Sequence, residues 1–135
     1  MDQFFSYVAE TDDIVVRVQP HFAEEASAPE AERWVWHYHV RIENGGERTV
    51  QLVDRHWIII DARGRREDVA GMGVVGEQPV IEPGDSFDYV SACPLGTPSG
   101  HMEGSYGMVD EGGVGFRIAI PAFDLISPST RRQAH

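Results

Sequence analysis

A single cysteine, Cys93, stands among the 135 residues, which excludes an internal disulfide and leaves too few thiolates for a cysteine-based zinc site. That count fits a reducing compartment and an inert, half-buried thiol. No apolar run approaches the ~20 residues that a membrane-spanning helix needs. Met1-Asp2-Gln3-Phe4-Phe5 has neither the basic segment nor the long apolar segment of a secretory signal, so the expected location is the cytoplasm. Positive charge is also scarce. Against 22 acidic side chains there are 11 basic ones, for a net charge of −11, and such a surface repels phosphate backbones and anionic lipid. Neither nucleic acid nor a membrane is therefore an expected partner. Two short basic groups, Arg63-Gly64-Arg65-Arg66 and Arg131-Arg132, read as solvated charges of a turn and a tail.

Helical periodicity is scarce as well, and what is present instead is alternation. From Glu32 to Glu43, Trp34, Trp36, Tyr38, Val40 and Ile42 fall on one face, and Arg33, His37, His39, Arg41 and Glu43 on the other. Asn44-Gly45-Gly46 predicts a reversal into a strand over about Arg48 to Asp61, and Asp61-Ala62-Arg63-Gly64 predicts the next one. Glu82-Pro83-Gly84-Asp85 and Asp110-Glu111-Gly112-Gly113 mark later turns, with strands around Phe87 to Ser91, His101 to Val109 and Val114 to Ile120. Ile14-Val15-Val16-Arg17-Val18 adds another near the start. Phe22 to Ala31 reads as an exposed acidic loop.

The pattern predicts an all-β chain: a two-sheet sandwich of the immunoglobulin or fibronectin type III kind with about seven to eight antiparallel strands. The Cys-Trp-Cys pattern of antibody domains is absent, so the likeness is architectural. One domain is expected over residues 1–126, followed by a polar, frayed tail over 127–135.

The run Gly71-Met72-Gly73-Val74-Val75-Gly76 has the glycine spacing of a dinucleotide fingerprint. That fingerprint requires a helix after the glycines, because the pyrophosphate rests on free amides at a helix N-terminus. Here Glu77-Gln78-Pro79-Val80-Ile81-Glu82-Pro83-Gly84 follows, and its prolines leave no room for one. The run is read as a connecting loop whose glycines allow sharp bends or close backbone approach where the chain crosses between sheets.

Arg55-His56-Trp57-Ile58-Ile59-Ile60-Asp61, Gly64, and Val69-Ala70 through the glycine run to Glu77-Gln78-Pro79 together resemble the bacterial ApaG family. So do Val18-Gln19-Pro20, Pro83 to Tyr89, Thr97 to Met108, and Ile120-Pro121-Ala122-Phe123-Asp124-Leu125, which extends the resemblance over nearly the whole chain. His101 departs from it, standing where a small hydroxyl residue is expected. The resemblance implies a fibronectin type III-like sandwich and an association with cobalt tolerance and magnesium efflux. It also implies protein binding, since the same domain is attached to an F-box protein and a polymerase-interacting protein in eukaryotes. In that family the glycine run has been regarded as a possible pyrophosphate site.

Several residues are candidates for a site. His37 and His39 share one strand face and could reach one ion if a further ligand, such as His56 or His101, lay near. If Trp57 is core, alternation turns His56 outward and Arg55 inward, where a carboxylate or carbonyl must receive the guanidinium. Arg55 then either anchors a loop or forms an anion site. Trp34, Trp36, Trp57, Tyr89 and Tyr106 read as core rather than as a stacking platform. Met72, Val74 and Val75, apolar residues set among glycines, either present a contact surface or plug one end of the sandwich. Ser91, Ser99 and Ser105 form no recognisable nucleophile elbow, and the carboxylates sit mostly in turns.

The expected function is thus a non-catalytic binding or regulatory module with no assigned metal or cofactor, acting on an unidentified protein partner. A homodimer through a strand edge is a further possibility, and a sensor of a divalent metal or a phosphate-containing metabolite is the alternative. The candidate binding residues are Arg55, His56, Gly71, Met72, Gly73, Val74, Val75 and Gly76.

Overall fold

The structure is a computed structural model that describes residues 5–128; Arg131-Arg132 and the rest of the expected tail beyond 128 lie outside the described residues, as do residues 1–4. Among the described residues there are nine strands: β1 Tyr7–Thr11, β2 Ile14–Phe22, β3 Trp34–Asn44, β4 Val50–Asp61, β5 Arg66–Met72, β6 Val80–Ile81, β7 Ser86–Leu95, β8 Ser99–Asp110 and β9 Gly115–Ile126. One sheet runs β1-β2-β3-β7, and the other runs β5-β4-β8-β9 with β6 also on β4. Every pairing is antiparallel. The result is the all-β, two-sheet sandwich that the alternation predicts.

The alternation works because side chains along a strand point to opposite faces. Val16, Val18, Trp36, Tyr38, Val40 and Ile42 of the first sheet are buried against Leu52, Trp57, Met102, Tyr106, Ile118 and Phe123 of the second. Trp57 meets Tyr38, Tyr106 and Phe123 with ring centroids at 5.3, 6.4 and 6.0 Å, all edge to face, and each such pair adds about 0.5–1.5 kcal/mol beyond its buried area.

Two connections decide which strands share a sheet. Asn44-Gly45-Gly46 is followed by the strand the sequence predicts, but β3 and β4 lie in different sheets, and the segment carries the chain across. Asn44 makes that crossing stable. Its buried side-chain amide donates to the carbonyls of Arg48 and Ile81 at 2.8 and 2.9 Å, and its side-chain oxygen accepts from Gly46 N–H at 3.0 Å. The glycine run, conversely, does not cross between sheets. Gly71 and Met72 end β5, and the chain continues to β6, so both flanking strands belong to one sheet. At the other end of the chain, Ser127 is buried and its amide donates to Pro98 at 3.1 Å, which carries the fold one residue beyond the expected boundary.

Candidate functional site

The glycine run divides into parts with distinct physical roles. Gly71 faces Arg55 across the β4–β5 ladder, and a Cβ there would lie 3.1 Å from the guanidinium Nη2, so the bare glycine is the shelf on which that group lies. Gly73 has φ +66°, and a Cβ would come within 2.3 Å of the Glu77 carbonyl oxygen. Val74 and Glu77 exchange both backbone hydrogen bonds, at 2.8 and 2.9 Å. Between them Val75 and Gly76 have φ +42° and +81°. Positive φ at both central residues is the signature of a type I′ hairpin turn.

Two of the loop's amides are committed to backbone carbonyls. Gly73 N–H donates to Val53 at 2.8 Å and Val74 N–H to Glu77, while Gly71 and Met72 belong to the β4–β5 ladder. What the loop offers inward is carbonyl oxygen. Arg55 Nη1 donates to Met72 at 3.0 Å and Gly73 at 2.8 Å. Of the partners open to Arg55 in the sequence, a carboxylate or a carbonyl, the carbonyls are the ones present.

Arg55 closes one end of a cleft of about 490 Å³ between β5 and β7, the adjacent free edges of the two sheets; this is within the range of ligand pockets. Its walls are Trp57, Ile59, Val69, Val74, Met102 and the aromatic faces of Tyr38 and Tyr89, with Glu67 also on the lining. Arg55 pairs with Gly71, Trp57 with Val69 and Ile59 with Glu67, so these side chains point inward in successive pairs along the ladder. Ile59 lies four positions beyond Arg55 on β4, so the backbone positions of Arg55 and Glu67 are about 13 Å apart along the strands, at ~3.3 Å per residue. Among the described residues, neither Arg55 nor Glu67 is in an ion pair.

The phenols and thiol on the cleft lining, and the core residue Tyr106 hydrogen-bonded to Tyr89, are held neutral. Burial pushes the Tyr89 and Tyr106 phenols far above the ordinary tyrosine range, and their hydroxyls hydrogen-bond each other. Burial likewise raises Tyr38, offset in part by the Ser91 hydroxyl beside it. The Cys93 thiol is pushed up to about 12, first by burial and then by the Glu67 charge. It is more deeply buried than the half-buried thiol expected, and it is fully protonated at neutral pH.

At the rim the apolar residues of the loop separate. Val74 is 1% exposed and belongs to the core, whereas Met72 and Val75 are 67% and 54% exposed. The plug and the contact surface, alternatives in the sequence, are thus adjacent residues with opposite fates.

His56 does not join the cleft. It points outward, as Trp57's burial requires, and its Nε2 lies 2.8 Å from Asp68. Arg66 and then His56 hold the Asp68 carboxyl well below its usual range. His101 likewise sits between Glu103 and Asp124, at 3.0 and 3.4 Å. His37 and His39 lie on the outer face of the opposite sheet, with His39 3.3 Å from Asp88 and edge-on to Phe5. The sandwich therefore separates the histidine pair from both proposed third ligands by its full thickness. Among the described residues, no group of three or more His, Cys, Asp or Glu is placed to hold a metal ion, and no helix is long and apolar enough to cross a membrane.

The sequence turned Arg55 inward toward a carboxylate or carbonyl without saying which, and it did not place Glu67, Tyr38 or Ser91 beside it. Alternation back from Val69 would have turned Glu67 inward had β5 been recognised.

Comparison with known proteins adds the lineage. Residues 24–110 match the ApaG domain, also designated DUF525. The Protein ApaG of Rhodospirillum centenum is 55% identical over 125 residues, covering 93% of this chain and 96% of that one. The Protein ApaG of Paramagnetospirillum magneticum is 56% identical over 122 residues, covering 90% and 94%. A crystal structure described as an ApaA protein of Bordetella pertussis superposes with a TM-score of 0.83 at 45% identity, covering 86% of this chain and 94% of its own. With a domain match over most of its length and relatives at this identity, the chain belongs to the ApaG family.

Proposed function

We propose that the chain is a non-catalytic binding module that works in the cytoplasm by contact with another protein, in a process touching cobalt and magnesium balance. The observation that carries this reading is Val75. A β-branched residue at φ +42° is a conformational outlier, and Val75 is also 54% exposed. Strain of this kind costs on the order of 1–3 kcal/mol and gathers at functional positions. Asn would serve the turn better. Stability therefore argues against valine here, and a contact surface formed with Met72 argues for it.

The non-catalytic part of the reading is supported by the cleft's chemistry. Its buried phenols and thiol are held protonated by burial, which leaves no activated nucleophile among them. The loop carbonyls that already occupy Arg55 give a phosphate sensor less support, and the separated histidines do the same for a metal sensor.

The test is capture of partners from the organism's own cytoplasm by the wild-type chain and by a Met72→Ser/Val75→Asn variant. Recovery of a specific partner by the wild type and its loss in a variant that melts no lower supports the reading. Equal recovery by both, or no specific partner at all, contradicts it.

A further inference from the structure

We propose that the cleft between β5 and β7 receives the carboxyl-terminal end of another polypeptide. Its terminal carboxylate would bind Arg55, its last apolar side chains the half-buried Ile59 and Val69, and a basic side chain three or four residues upstream would bind Glu67. The inference rests on the protein-contact reading and names the partner's chemistry.

The charge arrangement is the starting point. Arg55 uses Nη1 on two carbonyls and is in no ion pair among the described residues, and guanidinium matches carboxylate geometry closely. A net charge of −11 makes this half-buried cation a local exception on an anion-repelling protein. Glu67, also in no ion pair among those residues, presents the opposite charge at the other end of the same cleft.

The span then selects the ligand. The backbone positions of Arg55 and Glu67 stand about 13 Å apart at strand geometry, which is three to four extended residues. A single amino acid is too short to touch both. A fatty acid would leave Glu67 unmatched, and a second phosphate would be repelled by it. An extended peptide also suits the surroundings, because the cleft runs between two free sheet edges, β5 and β7, whose unpaired backbone groups are templates for a further strand.

The test is affinity selection on the immobilised protein with a random hexapeptide library bearing free carboxyl ends, alongside the same library amidated. The chain has no lysine, so an amine-reactive linker attaches it through the α-amino group alone and leaves the cleft untouched. Retained peptides should carry a free carboxylate, an apolar last residue and Lys or Arg three or four residues upstream. Arg55→Gln should weaken the best peptide on the order of tenfold or more. Gly71→Ala, which crowds the guanidinium while keeping it, should weaken it less. Glu67→Lys should move the upstream preference from basic to acidic, a change that a merely unfolded variant cannot produce. Equal retention of both libraries, or none above the Arg55→Gln background, overturns the proposal. Failure here while Val75→Asn still abolishes partner capture sinks the cleft assignment alone. Peptide binding that persists while capture ignores Val75 sinks the rim contact instead.

Discussion

Replacing each glycine of the run by alanine should give unequal losses of stability, and their order distinguishes a turn with an arginine shelf from a phosphate cradle. At Gly73 two penalties add. Its φ of +66° costs alanine about 1–2 kcal/mol, and a Cβ 2.3 Å from the Glu77 oxygen forces a backbone shift worth a further ~1–3 kcal/mol. At Gly76 only the backbone matters, because nothing lies within 4 Å of the added Cβ at φ +81°. Alanine's smaller unfolded-state entropy offsets part of that, leaving a loss of about 1 kcal/mol or less. Gly71 meets only the tip of a flexible side chain, at 3.1 Å, so its loss should be the smallest while its effect on Arg55 is the largest. Urea unfolding of the three variants measures this directly, with about 3 kcal/mol expected at Gly73, or a fall in melting temperature of roughly 10 °C. If Gly73→Ala loses under 1 kcal/mol, or Gly76→Ala loses more than Gly73→Ala, the account of the turn is wrong.

Other consequences follow from the core and its crossings. Val74→Ser buries a hydroxyl where no partner waits and should lose about 2–4 kcal/mol in the same urea assay. Asn44→Ala strands the carbonyls of Arg48 and Ile81 and the amide of Gly46, for a loss of about 2–4 kcal/mol. Cys93 should resist alkylation in the native protein at neutral pH and react only on unfolding. Its pKa, raised from 9.0 to about 12, means that between those values the native state holds a proton which the unfolded state releases, so stability falls as pH rises. At pH 10 this amounts to roughly 1 kcal/mol, and Cys93→Ala should flatten that part of the pH–stability profile.

The legible part of this chain was whatever a strand writes locally. The alternation through Trp34, Trp36 and Tyr38 gave the faces of β3, and Trp57 gave the inward turn of Arg55. Sheet membership is not local, so the reversal at Asn44-Gly45-Gly46 gave no sign that it links two sheets. β5 went unread because Arg66-Glu67-Asp68 and Ala70-Gly71 have weak strand propensity and are strands only through pairing with β4. Glu67 was lost with it, since its place in the cleft depends on the register set by the Gly64 turn. The histidines failed for the same reason: residues that look interchangeable along the chain fall on opposite outer faces once the sheets are assigned.

Whether Val75 is kept for contact at a cost to stability is tested most directly by Val75→Asn. The account predicts that this single change, which creates an Asn-Gly pair at the turn, raises the melting temperature by a few degrees for about 1 kcal/mol while partner capture falls. A variant that melts lower, or that captures its partner as well as the wild type, would contradict it.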